Sequence, residues 1–348
     1  MTQYLTNESI EELPLFSVEE LRQFLRNLGA KPEHERYILR AWLHGQPLDT
    51  CPHSPENYFP GKIRDAIPVL TQKLQALCRL SSKHPSQDGS SRLLVELRDG
   101  QMVESVLLPR QGVCISSQVG CAVGCAFCMT GRSGLIRQLG SAEIVAQVIL
   151  ARTQQTLRKV VFMGMGEPSH NLSQVLEAIQ LLGTEGGFAH KQLVFSTVGD
   201  RRVFERLPQG VVKPALALSL HTTRPELREK LLPRAQRIDP AELIELAENY
   251  AQMTTYPIQY QWTLLDGIND GDDEIENIVK LLSRKRAVLN LIPYNTVADL
   301  SFKRPAWDRA EAMARTLHQR GILTKLRHSA GQDIDGGCGQ LRARALKN

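Results

Sequence analysis

From residue 112 onward, short strand-like runs alternate with longer helical patterns, and this alternation restricts the fold more than any other feature. The runs are GVCISS (112–117), KVVFMGMG (159–166), QLVFSTVG (192–199), PALALSLH (214–221), IQYQWTLL (258–265), VLNLIPYN (288–295) and ILTKLRHS (322–329). Between them lie patterns such as AEIVAQVILAR (142–152) and AELIELAENYA (241–251), whose apolar residues recur at helical spacing. Parallel strands need a crossover of a dozen or more residues, and a helix is the usual one. Repeated β–α units therefore imply a parallel sheet, either an open doubly wound sheet or a barrel. Such folds build their sites at the carboxyl ends of the strands. Gly166, Glu167, Ser196, Ser219, Leu220, His221 and Asn295 stand at those ends.

The chain before this region reads differently. Ser17 with Glu20 forms a capping-box pattern, and Leu21, Phe24 and Leu25 follow on one helical face. Gly29 and Pro32 break the pattern, a second helix carries Tyr37, Ile38, Trp42 and Leu43, and another runs over about 62–80. Residues 1–85 read as a small helical domain, with the polar stretch SSKHPSQDGSS (81–91) as its linker. In 92–110, two alternating runs flank Asp99-Gly100, a hairpin signal, with Glu104 on the second strand. The remainder, 111–348, reads as the α/β core.

No stretch approaches the roughly 18 apolar residues of a membrane span, and the first residues lack a basic region followed by an apolar core. The expected location is the cytoplasm, where thiols stay reduced and clustered cysteines serve metals or catalysis. A net charge of +5 permits a polyanionic partner without demanding one. Basic residues recur near helix starts and loops at Arg201, Arg202, Arg224, Arg228, Arg234 and Arg237, then at Arg342 and Arg344.

Four of the seven cysteines fall within residues 114–128. Cys121, Cys125 and Cys128 are spaced C-x3-C-x2-C, and Cys114 stands upstream. Three thiolates cannot complete a structural zinc site, which takes four ligands. They can hold a cubane iron–sulfur cluster by three irons, leaving the fourth open to a ligand with an amino and carboxylate pair. S-adenosylmethionine carries that pair, and its one-electron reduction gives a 5′-deoxyadenosyl radical. MGMGEP (163–168) ends the next strand; its glycines allow close backbone approach, and Glu167 can accept from an ammonium group. A plain strand-to-helix turn with Pro168 at its first helical position would explain the same residues. Cys51 and Cys78 read as packing in the helical part.

The spacing C-x3-C-x2-C with Phe127 before its last cysteine resembles the radical SAM signature, and MGMGEP resembles that superfamily's GGEP element. The order CISSQVGCAVGCAFCMTG, MGMGEP, STVG, LSLH, NLIPYN and DIDGGCGQL (333–341) resembles the RlmN/Cfr family of radical SAM RNA methyltransferases over nearly the whole chain. The resemblance implies an α/β fold, a radical SAM partial (β/α)6 barrel behind a helical RNA-contacting domain with a hairpin extension. It implies one 4Fe-4S cluster on Cys121, Cys125 and Cys128 and two S-adenosylmethionine molecules per turnover. Gly166, Glu167, Ser196, Ser219, Leu220, His221 and Asn295 match positions contacting S-adenosylmethionine. Glu167 would hold the methionyl amino group.

The family's target is an adenine ring carbon, C2 or C8. Such a carbon is electron-poor and lacks a lone pair, so it cannot displace a methyl group from a sulfonium by itself. The resemblance assigns the methyl group first to Cys338. A radical then forms on that S-methyl carbon and adds to the base. Glu104 matches the proton acceptor that restores aromaticity. Cys114 matches the residue that releases the protein–RNA crosslink by a disulfide with Cys338. Ribosomal or transfer RNA, a reduced flavodoxin- or ferredoxin-type electron donor, a monomeric state and no membrane partner complete what the resemblance implies. The chain departs from the family pattern at Gly336-Gly337, at Met129, in DRRVFERL (200–207) and in KLLPRAQRIDPAEL (230–243). The cysteines are intact, so the departures bear on the RNA target and on C2 against C8. A metal-stabilised nucleic-acid-binding protein is the non-enzymatic alternative.

Overall fold

A computed structural model describes residues 16–132, 134–295 and 300–327. Its centre is a ten-stranded sheet in which the antiparallel ladder β1 (Cys78–Pro85), β2 (Ser91–Leu97), β3 (Met102–Leu108) and β4 (Gly112–Ile115) leads into a parallel series. From β4 that series runs through β7 (Lys159–Phe162), β8 (Leu193–Thr197), β9 (Ala215–Ser219), β10 (Ile258–Leu264), β11 (Ala287–Pro293) and the short β12 (Thr324–Leu326). A two-stranded ribbon of β5 (Gln118–Gly120) and β6 (Leu135–Gln138) stands apart, flanking the cysteine loop. The parallel series is the expected partial barrel, and each strand-like run of the sequence lies on one of its strands.

Helices α1 (Val18–Asn27), α2 (Pro32–Leu43) and α3 (Gly61–Gln75) precede the sheet. Further helices are α4 (Ser141–Arg152), α5 (Leu172–Thr184), α6 (Arg201–Arg206), α7 (Pro225–Leu231), α8 (Pro240–Thr254), α9 (Asp272–Leu282) and α10 (Trp307–Gln319). Ser17 caps α1 with the expected box, its hydroxyl accepting from Glu20 N while the Glu20 carboxylate accepts from Ser17 N. The early helices share one buried core with the sheet: Leu21, Leu25, Ile38 and Leu70 join Val113, Phe162 and Phe195 in a single apolar cluster. Backbone bonds tie them further, since Ala142 N donates to Phe16 O and Val18 N to the Ser141 hydroxyl.

The stretch expected as a linker, 81–91, is mostly sheet. Residues 78–85 form β1, paired antiparallel with β2, and only the turn 86–90 remains irregular. β1 is an edge strand, alternately half-buried and exposed. Its outward positions are therefore polar (Arg79, Ser81, Lys83), and polar composition was what suggested a linker. The helix expected over 62–80 correspondingly stops at Gln75, and Cys78 opens β1 instead of packing within a helix.

The sheet has two unlike faces. Val103, Ser105, Val113, Ile115, Phe162, Leu193, Phe195, Leu216, Leu218, Tyr260, Trp262, Leu289 and Leu291 face the helices. Side chains of the opposite parity line the concave inner face. Val106 lies directly opposite Cys114, and Glu104 is two residues along β3, so Glu104 and Cys114 share that inner face.

Candidate active site

A cleft of about 270 Å³ opens at the carboxyl ends of the parallel strands, close to the lower end of ligand pockets, roughly 300 Å³. It is lined by Cys121, Cys125 and Cys128 together with Gly166, Glu167, Ser196, Ser219, His221 and Asn295. Six segments far apart in sequence thus converge where the α/β rule places a site.

The cysteine loop is held by backbone bonds. Cys121 N donates to Gly134 O, Ala126 N to Leu231 O at 2.9 Å, and Cys128 N to Cys125 O. Arg234 N donates to Val123 O, and its side chain donates to Ala122 O. Leu231, Leu232 and Ala235 also pack against Val123, Cys125 and Phe127. The departure from the family pattern at 230–243 therefore includes residues that brace the cysteine loop.

Burial pushes the Cys121 thiol up to about 12. It also pushes Cys125 well above its ordinary value, with the charges of Cys128, Cys121 and Glu167 adding to the effect. Thiolates are unfavourable here unless a positive charge joins them, and the iron core of a cluster supplies one. Among the described residues no three His, Cys, Asp or Glu side chains gather tightly enough to share one metal ion. A cubane does not require that, because each thiolate binds its own iron. The donor set fits a 4Fe-4S cluster with one iron position left to a ligand.

Glu167 is buried, and its two carboxylate oxygens accept from Ser169 N and Val198 N, each at 3.0 Å. A carboxylate offers about four acceptor sites, so capacity remains for an ammonium group. The glycines before it line the cleft and also pack against the chain itself. A Cβ on Gly166, whose φ is +99°, would come within 2.6 Å of Gln118 Cβ, and one on Gly164 within 2.7 Å of Ile115 C. They let this turn approach the 115–118 segment closely, and that approach sets Glu167 in the cleft.

His221 is buried at φ +62° with its ring edge against Phe127, the centroids 5.0 Å apart. Its Nδ1 accepts from Thr263 N at 3.0 Å. Burial, aided by the Arg228 charge, pushes its pKa down to about 3. The ring is therefore neutral near pH 7 and carries its proton on Nε2, a donor at the cleft. Leu220 is wholly buried in the apolar core and does not line the cleft.

Arg228 was grouped in the sequence with scattered basic residues, but it is buried. Its guanidinium donates to the carbonyls of Ser219 at 2.9 Å, Leu220 at 2.6 Å and Val198, gathering the turns after β8 and β9. Burial lowers its pKa to about 10, while Cys125 and Glu167 draw it back up. Its spacing from Leu231, three residues along α7, places both on one helical face and was the available signal.

Glu104 and Cys114 do not line the cleft. They sit on the adjoining antiparallel part of the same inner face. Glu104 is 2% exposed and ion-paired to the equally buried Arg92 at 2.9 Å. Register explains the pair: Leu94 opposes Glu104, so Arg92 is its same-face diagonal neighbour. Ser116 connects this region to the cleft, its hydroxyl donating to Glu104 O at 2.6 Å and accepting from Met165 N at 2.9 Å. Cys338, Gly336-Gly337, Arg342 and Arg344 lie outside the described residues.

The radical SAM superfamily model matches residues 115–282. A probable RNA methyltransferase of Aromatoleum aromaticum is 68% identical, with 94% of this chain and 93% of that protein covered. Another, from Leptothrix cholodnii, is 68% identical over 94% of each. Among solved structures, a radical SAM methyltransferase from Sphaerobacter thermophilus superposes with a TM-score of 0.80 at 32% identity, covering 94% of this chain and 98% of that one.

Proposed function

The chain belongs to the RlmN/Cfr family of radical SAM RNA methyltransferases, and we propose that it methylates C2 of an adenine in 23S ribosomal RNA, with transfer RNA as a further substrate. The observation that carries this reading is the convergence of the three-thiol cleft with Glu104 and Cys114 on one concave face. A polar methyl transfer would need only a donor site beside a nucleophile. A carbon without a lone pair needs a radical source, a methyl carrier, a base and a means of release, and this face supplies a group for three of those needs.

In this reading Cys121, Cys125 and Cys128 hold the 4Fe-4S cluster, which when bound supplies the electron that cleaves S-adenosylmethionine. Glu167 accepts from the methionyl ammonium group. His221 Nε2 donates to an acceptor of the ligand, while Ser196, Ser219 and Asn295 line its cleft and Gly166 fixes the turn. Leu220 contributes backbone only, because its side chain is buried in the core. Two S-adenosylmethionine molecules serve one turnover, the first methylating the Cys338 thiolate. Glu104 takes the ring proton, and the adduct gives up its odd electron, for which the 4Fe-4S cluster would be the acceptor. The Cys114 thiolate then attacks the Cys338 sulfur; the S–CH2 bond breaks as the disulfide forms, and the released carbon takes a proton to become the methyl group of the free base.

Nucleoside mass spectrometry on RNA from cells with and without the gene tests the product. Loss of 2-methyladenosine, and its return when the purified, cluster-loaded protein acts on that RNA, is the expected result. Appearance of 8-methyladenosine instead would overturn the C2 assignment, and no change in any methyladenosine would overturn the adenine reading.

A further inference from the structure

The basic residues most visible in the sequence are largely committed. Arg201 pairs with Glu242, Arg202 with Asp200, Arg224 with Glu274 and Arg237 with Glu229, while Arg228 is buried on carbonyls. A different set is not. Lys159 opens β7, Lys325 is the middle residue of β12, Arg327 follows two residues later, and Arg110 sits in the turn before β4. Among the described residues none of these four forms an ion pair.

Register places them. Lys159 shares the parity of Val161 and Met163, which lie on the inner face, and it pairs with Gly112 two residues before Cys114. Lys325 opposes Asn290, whose neighbours Leu289 and Leu291 face the helices, so Lys325 is also turned inward. Two further observations support a site. Lys159 lies within electrostatic reach of Arg327 and Lys325, and Arg327 of Arg110; burial and that like charge hold Lys159 and Arg327 below their ordinary values. Asn290 is fully buried, and neither atom of its amide has a hydrogen-bond partner. Like charges drawn from three chain segments onto one face repel each other, and folding alone gives no reason to gather them.

We propose that Arg110, Lys159, Lys325 and Arg327 form a phosphate-binding site on the inner face below Cys114, and that it grips a backbone phosphodiester of the RNA substrate. The site rests on the RNA reading above and adds to it the place where the strand is anchored. Lys159 and Cys114 lie on paired strands, two residue pairs apart in register and on the same face, so a phosphate held there brings its nucleotide toward Cys114 and Glu104. Arg110, Lys325 and Arg327 are exposed and Lys159 is half-buried, which leaves the cluster open to a strand.

The test is the salt dependence of RNA affinity in the full-length, cluster-loaded protein, compared with Lys159→Gln and Lys325→Gln. Each lost phosphate contact flattens the slope of log affinity against log salt by about 0.7 for single-stranded RNA. Each variant is expected to bind roughly tenfold more weakly at low salt and to show the shallower slope. RNA-independent cleavage of S-adenosylmethionine should not change. Lys325 is exposed on an edge strand, so its variant keeps the test decisive even if Lys159→Gln folds poorly. Unchanged affinity and slope in Lys325→Gln would overturn the site while leaving the enzyme's reading intact. Protection of the four side chains by inorganic phosphate with an unaltered RNA slope would make it a site for free phosphate and overturn it as an RNA anchor. Wild-type protein without salt-dependent RNA binding would overturn the RNA reading and the site with it.

Discussion

The cleft at the strand ends and the antiparallel extension share one concave face but are built in opposite ways. The cleft is made of turns whose backbone groups are tied to one another: Arg228 gathers three carbonyls, Glu167 holds two N–H groups, and the 231–234 segment braces the cysteine loop. Its reactive side chains lie on loops, and among the described residues no buried ion pair holds them. The extension is regular sheet, and its chemistry rests on side chains fixed by register, with the Arg92–Glu104 pair inside it. On the proposed reading the difference is functional: a cofactor site asks for many convergent backbone dipoles, whereas a base and a thiol that act on a large substrate ask for a rigid platform. Ser116 is the hinge of the comparison, because its one hydroxyl bonds to both regions.

The largest effect should come from the cleft. Cys121→Ala, Cys125→Ala or Cys128→Ala removes one of three protein thiolates and should abolish iron loading and S-adenosylmethionine cleavage, while RNA binding through other surfaces persists. Iron content and visible absorption of anaerobically reconstituted protein read this directly. Full loading in all three variants would remove the cluster from the account.

Next is the extension. Arg92→Met withdraws the counter-charge from a buried carboxylate, which should lower stability by about 3 kcal/mol in denaturant unfolding. Iron loading should be unaffected, which separates the two regions. If Arg92→Met also loses the cluster, they are one unit and the comparison fails.

Gly166→Ala probes the join. Its Cβ would strike Gln118, and a φ of +99° is strained for alanine, so about 2 kcal/mol of stability should go. Binding of S-adenosylmethionine should weaken as well, since Glu167 is the next residue. Normal binding in a destabilised protein would show that the turn does not position Glu167.

At neutral pH the last effect vanishes, and it appears only on acidification. His221 holds its pKa at about 3 in the folded protein against roughly 6.5 unfolded, so below pH 6.5 the unfolded chain binds a proton that the native one refuses. Stability contributed by the neutral ring is complete above that pH and falls by about 1.4 kcal/mol per unit between roughly pH 6 and 4. The slope should be shallower by that amount in His221→Asn. Equal slopes would mean that His221 is charged or exposed in the native state.

Much of this was legible in the sequence because it was periodic or local. Strand–helix alternation gave the parallel series, Asp99-Gly100 gave the hairpin and its register, and the cysteine spacing is a feature of one short loop. Three features were obscured because their signals were indirect. β1 is half-exposed, so its polar residues resembled a linker. Arg228 looked like surface charge, although its position on the Leu231 face of α7 marked it as buried. The glycines of MGMGEP suggest room for a ligand, and the close packing of the 115–118 segment against them is a long-range contact that no local pattern announces. The Arg92 partner of Glu104 could have been found from the hairpin register alone.

The central claim is that Cys114 and Cys338 act in sequence on one RNA base, and the covalent state of a single variant tests it. Cys114→Ala should be methylated at Cys338, react with RNA, and stall as a thioether-linked protein–RNA adduct, because nothing attacks the Cys338 sulfur. Denaturing electrophoresis of that variant purified from growing cells, with and without nuclease, followed by mass spectrometry of the Cys338 peptide, reports the adduct. The account predicts a nuclease-sensitive band carrying one CH2 bridge at Cys338, absent from Cys338→Ala. Normal turnover by Cys114→Ala, or the same adduct in Cys338→Ala, would contradict it.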